Sequence, residues 1–184
     1  MRVVIIVAQK AYVKRYFYLI QLTKQQHVIM DEDLQAGAKA PAFEGVIQDG
    51  STIKLSDFAG KKVALYFYPR DSTPGCTRQA CNLRDNYSAL IEAGIQVIGV
   101  SGDSAKSHVK FIGKYDLPFP LIADTDKTIM TAYGVWGEKK LYGRVYMGTK
   151  RMTFLIGEDG TIQNVIKKPK TGDHTAEVLA GFSE

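Results

Sequence analysis

The sequence predicts an α/β fold in which a mixed central sheet is flanked by helices. The main observation is that continuous apolar runs, the pattern of buried strands, alternate with stretches of helical periodicity between residues 63 and 133. Such alternation is typical of α/β layering. Two hairpin signals, one before this region and one after it, add antiparallel strands to the predicted architecture.

An antiparallel β-hairpin is predicted to open the domain. Gly50 follows Asp49 between two short stretches of alternating polarity, residues 43–48 and 52–55. An Asp-Gly pair between such stretches is the strongest short-range hairpin signal, because glycine readily adopts the positive φ that a tight turn needs.

A strand followed by a helix comes next. Residues 63–68 form an unbroken apolar run that Pro69 ends, short enough for a central strand buried on both faces. A helix is predicted over residues 79–91, where apolar side chains recur with helical spacing until Gly94. The side chains on this apolar face are Ala80, Leu83, Tyr87, Leu90 and Ile91.

The alternation then continues to the end of the chain. Val109, Ile112 and Tyr115 are expected to form the apolar side of the next helix. The further predicted elements are strands over residues 95–100 and 120–123, helices over 104–115 and 128–133, a hairpin of 152–156 and 161–167, and a helix over 175–182.

The excess of positive charge belongs to the N-terminal segment. The chain has 184 residues with 24 Lys and Arg against 19 Asp and Glu, a net charge of +5. Residues 1–29 contain five basic residues and no acidic one, so the rest of the chain is formally neutral. We therefore expect an N-terminal extension over residues 1–33, a single domain over residues 34–184 and no nucleic-acid partner.

The first 29 residues lack the pattern of a membrane span or an export signal. Their apolar runs, residues 3–8 and 16–20, are shorter than the roughly 20 residues that a transmembrane helix needs. No small-residue cleavage site follows them. One interpretation is that Met30 is the true start and residues 1–29 are an over-extended reading frame, and the other is a basic, aromatic helix lying on a membrane surface. We favour the first and expect no membrane partner.

The two cysteines of the chain, Cys76 and Cys81, fall at the start of the first long helix. Thr73 suits the N-cap position and Pro74 the first helical position, so Cys76 is placed in the first turn. The free N–H groups and the partial positive charge of a helix N-terminus favour a thiolate there. A zinc site requires more Cys or His ligands than this spacing offers, and no metal is expected.

The spacing of the cysteines predicts a structural change on oxidation. Residues five apart on an ideal helix have Cα atoms about 8.7 Å apart on divergent faces. A disulfide tolerates at most about 7 Å between its Cα atoms. If both cysteines lie in the helix, at least its first turns must unwind before Cys81 can bond to Cys76.

Residues 68–85, with the sequence YPRDSTPGCTRQACNLRD, resemble the active-site segment of peroxiredoxins of the bacterioferritin comigratory protein, or peroxiredoxin Q, subfamily. The similarity extends to residues 37–43, 101–124 and 151–154 and covers essentially residues 34–180. The spacing of proline, threonine and cysteine, joined to a second cysteine five residues later, is highly specific. The first thirty residues have no usual counterpart in that subfamily.

The resemblance implies a thioredoxin-like fold and a thiol-dependent peroxidase that reduces hydrogen peroxide and organic hydroperoxides to water and alcohols. No metal, haem or flavin cofactor is implied. Cys76 matches the peroxidatic cysteine and Cys81 the resolving cysteine, which together form an intramolecular disulfide. Pro69, Thr73 and Arg151 match the remaining active-site positions.

Each of these positions has a physical role in the implied reaction. The Thr73 hydroxyl can donate to and accept from a peroxide, and Arg151 stabilises the thiolate and the charge that grows on the leaving oxygen. Backbone N–H groups of Gly75 and Cys76 complete an oxyanion site, so that Gly75, Thr73 and Arg151 bind the substrate. Pro69 walls the sulfur from bulk water.

The resemblance also implies the biological setting. The disulfide would be reduced by thioredoxin or a similar dithiol, and the protein would serve antioxidant defence and redox homeostasis in the cytoplasm. A monomer or a weak dimer is expected.

Other functional classes fit the sequence less well. A disulfide oxidoreductase of the thioredoxin type uses C-x-x-C, whereas four residues separate the cysteines here. A module that binds nucleic acid or membranes would depend on the basic extension alone. A Cys-His hydrolase would need His108 or His174 against the sulfur, and both are expected to be ordinary surface or core residues. Trp136, Tyr133 and Phe119 are expected to pack in the core rather than line the peroxide entrance.

Overall fold

Residues 34–141 and 143–183 are described by the computed structural model and contain nine strands and five α-helices. In chain order the elements are β1 (Glu44–Val46), β2 (Thr52–Lys54), a 3-10 helix (Leu55–Phe58), β3 (Lys62–Phe67), α1 (Pro74–Asp85), α2 (Tyr87–Glu92), β4 (Ile95–Ser101), α3 (Ala105–Tyr115), β5 (Leu121–Ala123), α4 (Thr128–Ala132), β6 (Trp136–Leu141), β7 (Arg144–Thr149), β8 (Met152–Ile156), β9 (Ile162–Ile166) and α5 (His174–Gly181).

Five of the strands form a mixed central sheet in the order β5-β4-β3-β8-β9. Strands β3, β4 and β5 run parallel, while β8 is antiparallel to β3 and β9 is antiparallel to β8. The predicted mixed sheet is therefore confirmed, and the predicted N-terminal hairpin is β1–β2, with Gly50 at a φ of +86° in its turn.

Strand β3 supplies both layers of the core, because successive side chains of a strand point to opposite faces. One layer contains Val63, Leu65 and Phe67 with buried side chains of β4, α4 and β8. The other contains Ala64 and Tyr66, and it is completed by the side chains Tyr68, Cys76, Ala80, Leu83, Leu90, Phe111 and Val178. Cys76 is thus part of the core on the face of the sheet that α1, α3 and α5 cover.

The helix predicted over residues 79–91 is two helices. Helix α1 ends at Asp85, and Asn86, with a φ of −116° and a ψ of 22°, separates it from α2. The Asn86 side chain donates to the Asn82 carbonyl at 2.9 Å, and such local side-chain bonds compete with regular helix. Ile91, expected on the buried face, lies after this break and is 44% exposed.

The buried face predicted for α3 is wrong in one position. Val109 is 52% exposed, whereas His108 and Phe111 are buried. Ile112 and Tyr115 pack against the core as expected. The difference arises because a hydrogen bond to Asp71 lets the polar His108 side chain be buried. A hydropathy pattern does not reveal such a partner.

The hairpin β6–β7 was not among the predicted elements. It forms a separate two-stranded sheet in which Leu141 is paired with Arg144 and Gly143 has a φ of +78°. Most of β7 is exposed to solvent. A strand without a buried face lacks the alternation of apolar and polar residues by which a strand is predicted from sequence.

Residues 1–33 lie outside the described part of the chain. The expectations that Met30 is the true start and that residues 1–29 form a basic extension remain predictions. Within residues 34–141 and 143–183, no helix has the length and apolar character that crossing a bilayer requires.

Candidate active site

The sulfur of Cys76 lies in the first turn of α1, just beyond the carboxyl end of β3. The loop between them holds Ser72 at a positive φ of 57°, and the first helical hydrogen bond runs from the Thr77 N–H to the Thr73 carbonyl at 2.8 Å. Cys76 is 2% exposed and packs in the layer of the core that contains Tyr66 and Tyr68. The placement of Cys76 in a first helical turn is as predicted.

Arg151 is the charged group that reaches the sulfur. Its Nη2 donates to Cys76 Sγ at 3.2 Å, and its Nη1 donates to Gln79 Oε1 in a short hydrogen bond. Strand pairing explains the approach, because Met152 lies opposite Phe67 and Arg151 therefore stands beside the end of β3. The structure brings these predicted residues together from positions 75 apart in sequence.

Gln79 is a site residue that the sequence did not reveal. It lies one turn after Cys76 in α1, is completely buried and fixes the second branch of the Arg151 guanidinium. Its Nε2 is one of the buried polar atoms of the described chain without a hydrogen-bond partner. The sequence signal that could have identified Gln79 is its position three residues after Cys76, which places a polar side chain on the same face of the helix as the cysteine.

Thr73 occupies the N-cap position of α1, but its side chain does not cap the helix. The hydroxyl instead donates to the Arg70 carbonyl at 3.1 Å. Its lone pairs stay available to accept a hydrogen bond. Gly75 lies next to Arg151, since a Cβ built on Gly75 would be 3.5 Å from Nη2.

Pro69 lies on the surface, along a neighbouring cleft of about 370 Å³. Trp136 lines the same cleft, while Tyr133 and Phe119 are 1% and 2% exposed and belong to the core. The burial of the Cys76 sulfur is accounted for by its core neighbours, among which Tyr66 and Tyr68 are the largest.

Asp71 fixes the loop that leads to Thr73. Its carboxylate accepts from the Tyr68 hydroxyl at 2.8 Å and the Ser107 hydroxyl at 2.7 Å, and lies 2.9 Å from His108 Nδ1. Burial alone would raise the pKa of Asp71, but these hydrogen bonds outweigh it and hold the pKa below its usual 3.8. The other nitrogen of His108 lies 3.2 Å from the Ile122 carbonyl, so both ring nitrogens have a polar partner.

His174 is also a buried core residue. Its Nε2 lies 2.9 Å from Thr153 Oγ1 and its Nδ1 lies 3.2 Å from a Glu177 carboxylate oxygen. Burial lowers the pKa of His174 below 6.5, Glu177 opposes this shift, and the positive charge of Arg151 adds to it. The ring nitrogens of His108 and His174 thus make hydrogen bonds that hold the two buried rings in place.

Cys81 lies in the same helix as Cys76, and both cysteines are free thiols. Cys81 is partly exposed, in contrast to Cys76. The condition under which unwinding was predicted, that both cysteines lie in one helix, is therefore met. Among the described residues no group of three or more His, Cys, Asp or Glu side chains is arranged to hold a metal ion.

Comparisons with known proteins give similarity over most of the chain. The AhpC/TSA family matches residues 36–165. "Putative peroxiredoxin bcp" of Coxiella burnetii is 48% identical over 146 residues, 79% of this chain and 97% of that protein. "Peroxiredoxin Bcp" of Bacillus subtilis is 45% identical over 146 residues, 79% of this chain and 93% of that protein.

Solved structures extend the similarity to the fold. The Xanthomonas campestris bacterioferritin comigratory protein, studied for its alkyl peroxide reduction activity, superposes with a TM-score of 0.75 at 34% identity, over 80% of this chain and 97% of that one. A cysteine-to-serine variant of Xylella fastidiosa PrxQ gives a TM-score of 0.77 at 30% identity, over 83% and 97%. The chain therefore belongs to the AhpC/TSA family and, within it, to the Bcp or PrxQ peroxiredoxins, which are thiol-dependent peroxidases with a thioredoxin fold.

Proposed function

We propose that Cys76 is the peroxidatic cysteine of this peroxidase. The observation that carries the proposal is the 3.2 Å hydrogen bond from Arg151 to a nearly buried sulfur in the first turn of a helix. The thiolate attacks one oxygen of ROOH, the O–O bond breaks, and sulfur is oxidised to a sulfenic acid while RO⁻ leaves and takes up a proton as ROH. A guanidinium beside the reacting atoms stabilises both the thiolate and the departing oxygen.

The groups around the sulfur supply the substrate contacts. Thr73 Oγ1 has lone pairs free to accept the peroxide O–H, and rotation of the hydroxyl away from Arg70 would let it donate as well. Gly75 leaves room for the peroxide beside Arg151, and its N–H and that of Cys76 are among the free donors of the helix N-terminus. Pro69, at the surface before this loop, would limit the entry of water to the site.

Cys81 completes the chemistry as the resolving cysteine. Its thiol sulfur attacks the sulfenic sulfur of Cys76, an S–S bond forms, and the hydroxyl leaves with the thiol proton as water. The helix that holds both cysteines has to unwind locally for this step. A dithiol of the thioredoxin type then exchanges with the disulfide, which restores both thiols and leaves the reductant oxidised.

The proposed substrates are hydrogen peroxide and alkyl hydroperoxides, the latter because the Xanthomonas campestris relative is described by its alkyl peroxide reduction activity. Residues 34–184 are proposed to act as one catalytic domain, since every proposed site residue lies between Pro69 and Arg151. We place the protein in the cytoplasm as a monomer or weak dimer, without a nucleic-acid or membrane partner.

The test is NADPH consumption coupled through thioredoxin and thioredoxin reductase. Wild-type protein is expected to consume NADPH with hydrogen peroxide and with an alkyl hydroperoxide, and Cys76→Ser to consume none with either. Circular dichroism of Cys76→Ser serves as the control for folding. Full turnover by a folded Cys76→Ser protein would overturn the assignment.

A further inference from the structure

The two ends of helix α1 are held by different contacts. Pro74 suits the first position, but the Thr73 side chain makes no cap bond and the first turn has no acidic residue. Gly75 follows, and glycine is among the weakest helix formers. The helix start is therefore weak in itself, and the N-terminal half of α1 is held mainly by the Arg151 bonds to Cys76 and Gln79 and by its buried side chains.

Asn82, directly after Cys81, ties the C-terminal half of α1 to helix α5. Its Nδ2 donates to the Gly172 carbonyl at 3.0 Å, and its Oδ1 accepts from the Thr175 N–H at 2.8 Å. The Thr175 hydroxyl also donates to the Asn82 carbonyl at 3.0 Å. Because Asp173 at the N-cap position of α5 makes no side-chain cap bond, Asn82 satisfies an N-terminal donor of α5 from another helix.

The residues that follow strengthen this attachment. Leu83 is 1% exposed in the core, and Arg84 Nη1 donates to the Tyr115 carbonyl at 2.6 Å. Three consecutive residues, from Asn82 to Arg84, thus hold the end of α1 to the rest of the domain.

Before helix α1, Asp71 attaches the preceding loop to the rest of the domain. In addition to the bonds that its carboxylate makes with Tyr68, Ser107 and His108, its N–H donates to Asp103 Oδ2 at 2.9 Å. The residue is 7% exposed, and Ser72 with its positive φ follows at once. The loop is therefore attached to the rest of the domain at Asp71, whereas the Thr73 bond to the Arg70 carbonyl that follows is local to the loop.

We propose that disulfide formation unwinds only residues 72–81, between Asp71 and Asn82, and that Asn82 is a positioning residue that holds Cys81 in place for Cys76. The inference rests on the proposed pairing of Cys76 with Cys81. Cys76 lies five positions after Asp71 and six before Asn82, and five extended residues span about 16–18 Å. Cys76 can therefore reach Cys81 while both attachments remain intact.

This arrangement also determines which contacts of the peroxide site are lost when the disulfide forms. Cys76 and Gln79 lie inside residues 72–81, whereas Arg151 lies outside them. Unwinding consequently breaks both hydrogen bonds that Arg151 makes with α1, and the peroxide site reassembles only after the disulfide is reduced.

The first experiment compares hydrogen–deuterium exchange of the reduced and disulfide forms of the full chain by mass spectrometry. Amide protection is expected to be lost within residues 74–81 and kept in residues 83–92 and 174–181. Loss of protection through residues 83–92 on oxidation would overturn the proposal. Non-reducing peptide mapping of the same sample tests the proposed function separately, because it shows whether Cys76 and Cys81 are linked at all.

The second experiment measures the two oxidation steps of Asn82→Ala by stopped-flow fluorescence. The rate of Cys76 oxidation is expected to stay at the wild-type value, while disulfide formation slows about threefold or more because Cys81 is no longer held. Sulfinic acid per turnover should rise with it. Disulfide formation at the wild-type rate, or an equal loss in both steps, would contradict a positioning role.

Asn86→Ala is the matched control. Its side chain bonds to the Asn82 carbonyl within the same helical region and makes no bond to α5, so disulfide formation is expected at the wild-type rate. If Asn82→Ala fails to fold, Thr175→Val removes only the hydroxyl bond to the Asn82 carbonyl and is expected to slow disulfide formation by a smaller factor.

Discussion

Arg151 donates a hydrogen bond to the Cys76 sulfur at 3.2 Å although 75 positions separate the two residues in the chain. The contact is produced by the antiparallel pairing of β3 with β8, which brings the residue before β8 to the end of β3. Gln79 holds the other side of the guanidinium, so the positive charge is directed at the sulfur. The same charge stabilises every anionic species that the proposed first step contains.

Arg151→Ala is expected to slow the oxidation of Cys76 by hydrogen peroxide about 10²–10³-fold, the usual loss when one oxyanion donor is removed. Arg151→Lys keeps the charge but lacks the two separate nitrogens that donate to Gln79 and Cys76, so its loss should be smaller than that of Arg151→Ala but not zero. The measurement is the second-order rate constant from stopped-flow fluorescence. Arg144→Ala, at an exposed position of β7, is the control and should react at the wild-type rate.

Cys81→Ser is expected to allow one oxidation of Cys76 and then stop. Without the second thiol the sulfenic acid has no intramolecular partner, so it accumulates and is oxidised further by excess peroxide. Mass spectrometry after dimedone trapping should show the sulfenic acid adduct on Cys76, and the sulfinic acid should grow with peroxide concentration. Sustained thioredoxin-dependent turnover at the wild-type rate would show that Cys81 is not the resolving cysteine.

Asp71→Ala is expected to destabilise the fold by about 3–5 kcal/mol, because it leaves the Tyr68 hydroxyl, the Ser107 hydroxyl and His108 Nδ1 without their common partner, at about 1–3 kcal/mol for each buried group. The free energy of unfolding from urea titration at pH 7 measures this. Asp85→Ala removes an exposed ion pair with Arg84 and should change stability by about 1 kcal/mol or less. Equal midpoints and slopes for Asp71→Ala and wild type would show that these hydrogen bonds do not contribute.

The parts of the fold that the sequence predicts are those that a local pattern determines. Strands β3 and β4 are buried on both faces and appear as continuous apolar runs, and the residues before Cys76 have the chemistry of a helix start. The β1–β2 turn is determined by Asp49 and Gly50 in the same local way. Such features need no knowledge of distant residues.

The parts that were missed depend on distant partners or on exposure. His108 turns inward because its Nδ1 is hydrogen-bonded to the Asp71 carboxylate, 37 positions away. Gln79 turns inward because its side-chain oxygen accepts a hydrogen bond from Arg151, 72 positions away. Hydropathy assigns both to the surface. The β6–β7 hairpin was missed for the opposite reason, since most of β7 is exposed and has no buried apolar face to indicate a strand.

His174 gives the protein a pH-dependent stability near neutrality. Burial lowers the pKa of His174 in the folded protein, whereas in the unfolded chain it returns to about 6.5. Between these two values the unfolded state binds more protons, so the free energy of unfolding falls as the pH drops below about 6.5, by at most about 1.4 kcal/mol per pH unit.

Urea unfolding at about pH 7.5, 6.5 and 5.5 should show this fall in wild type and a weaker one in His174→Gln, whose side chain does not titrate. The other histidines are common to both proteins, and Asp71 titrates only at much lower pH, where its lowered pKa makes stability fall below about pH 3.8. Parallel pH dependences of the two proteins would mean that His174 does not bind protons differently in the folded and unfolded states.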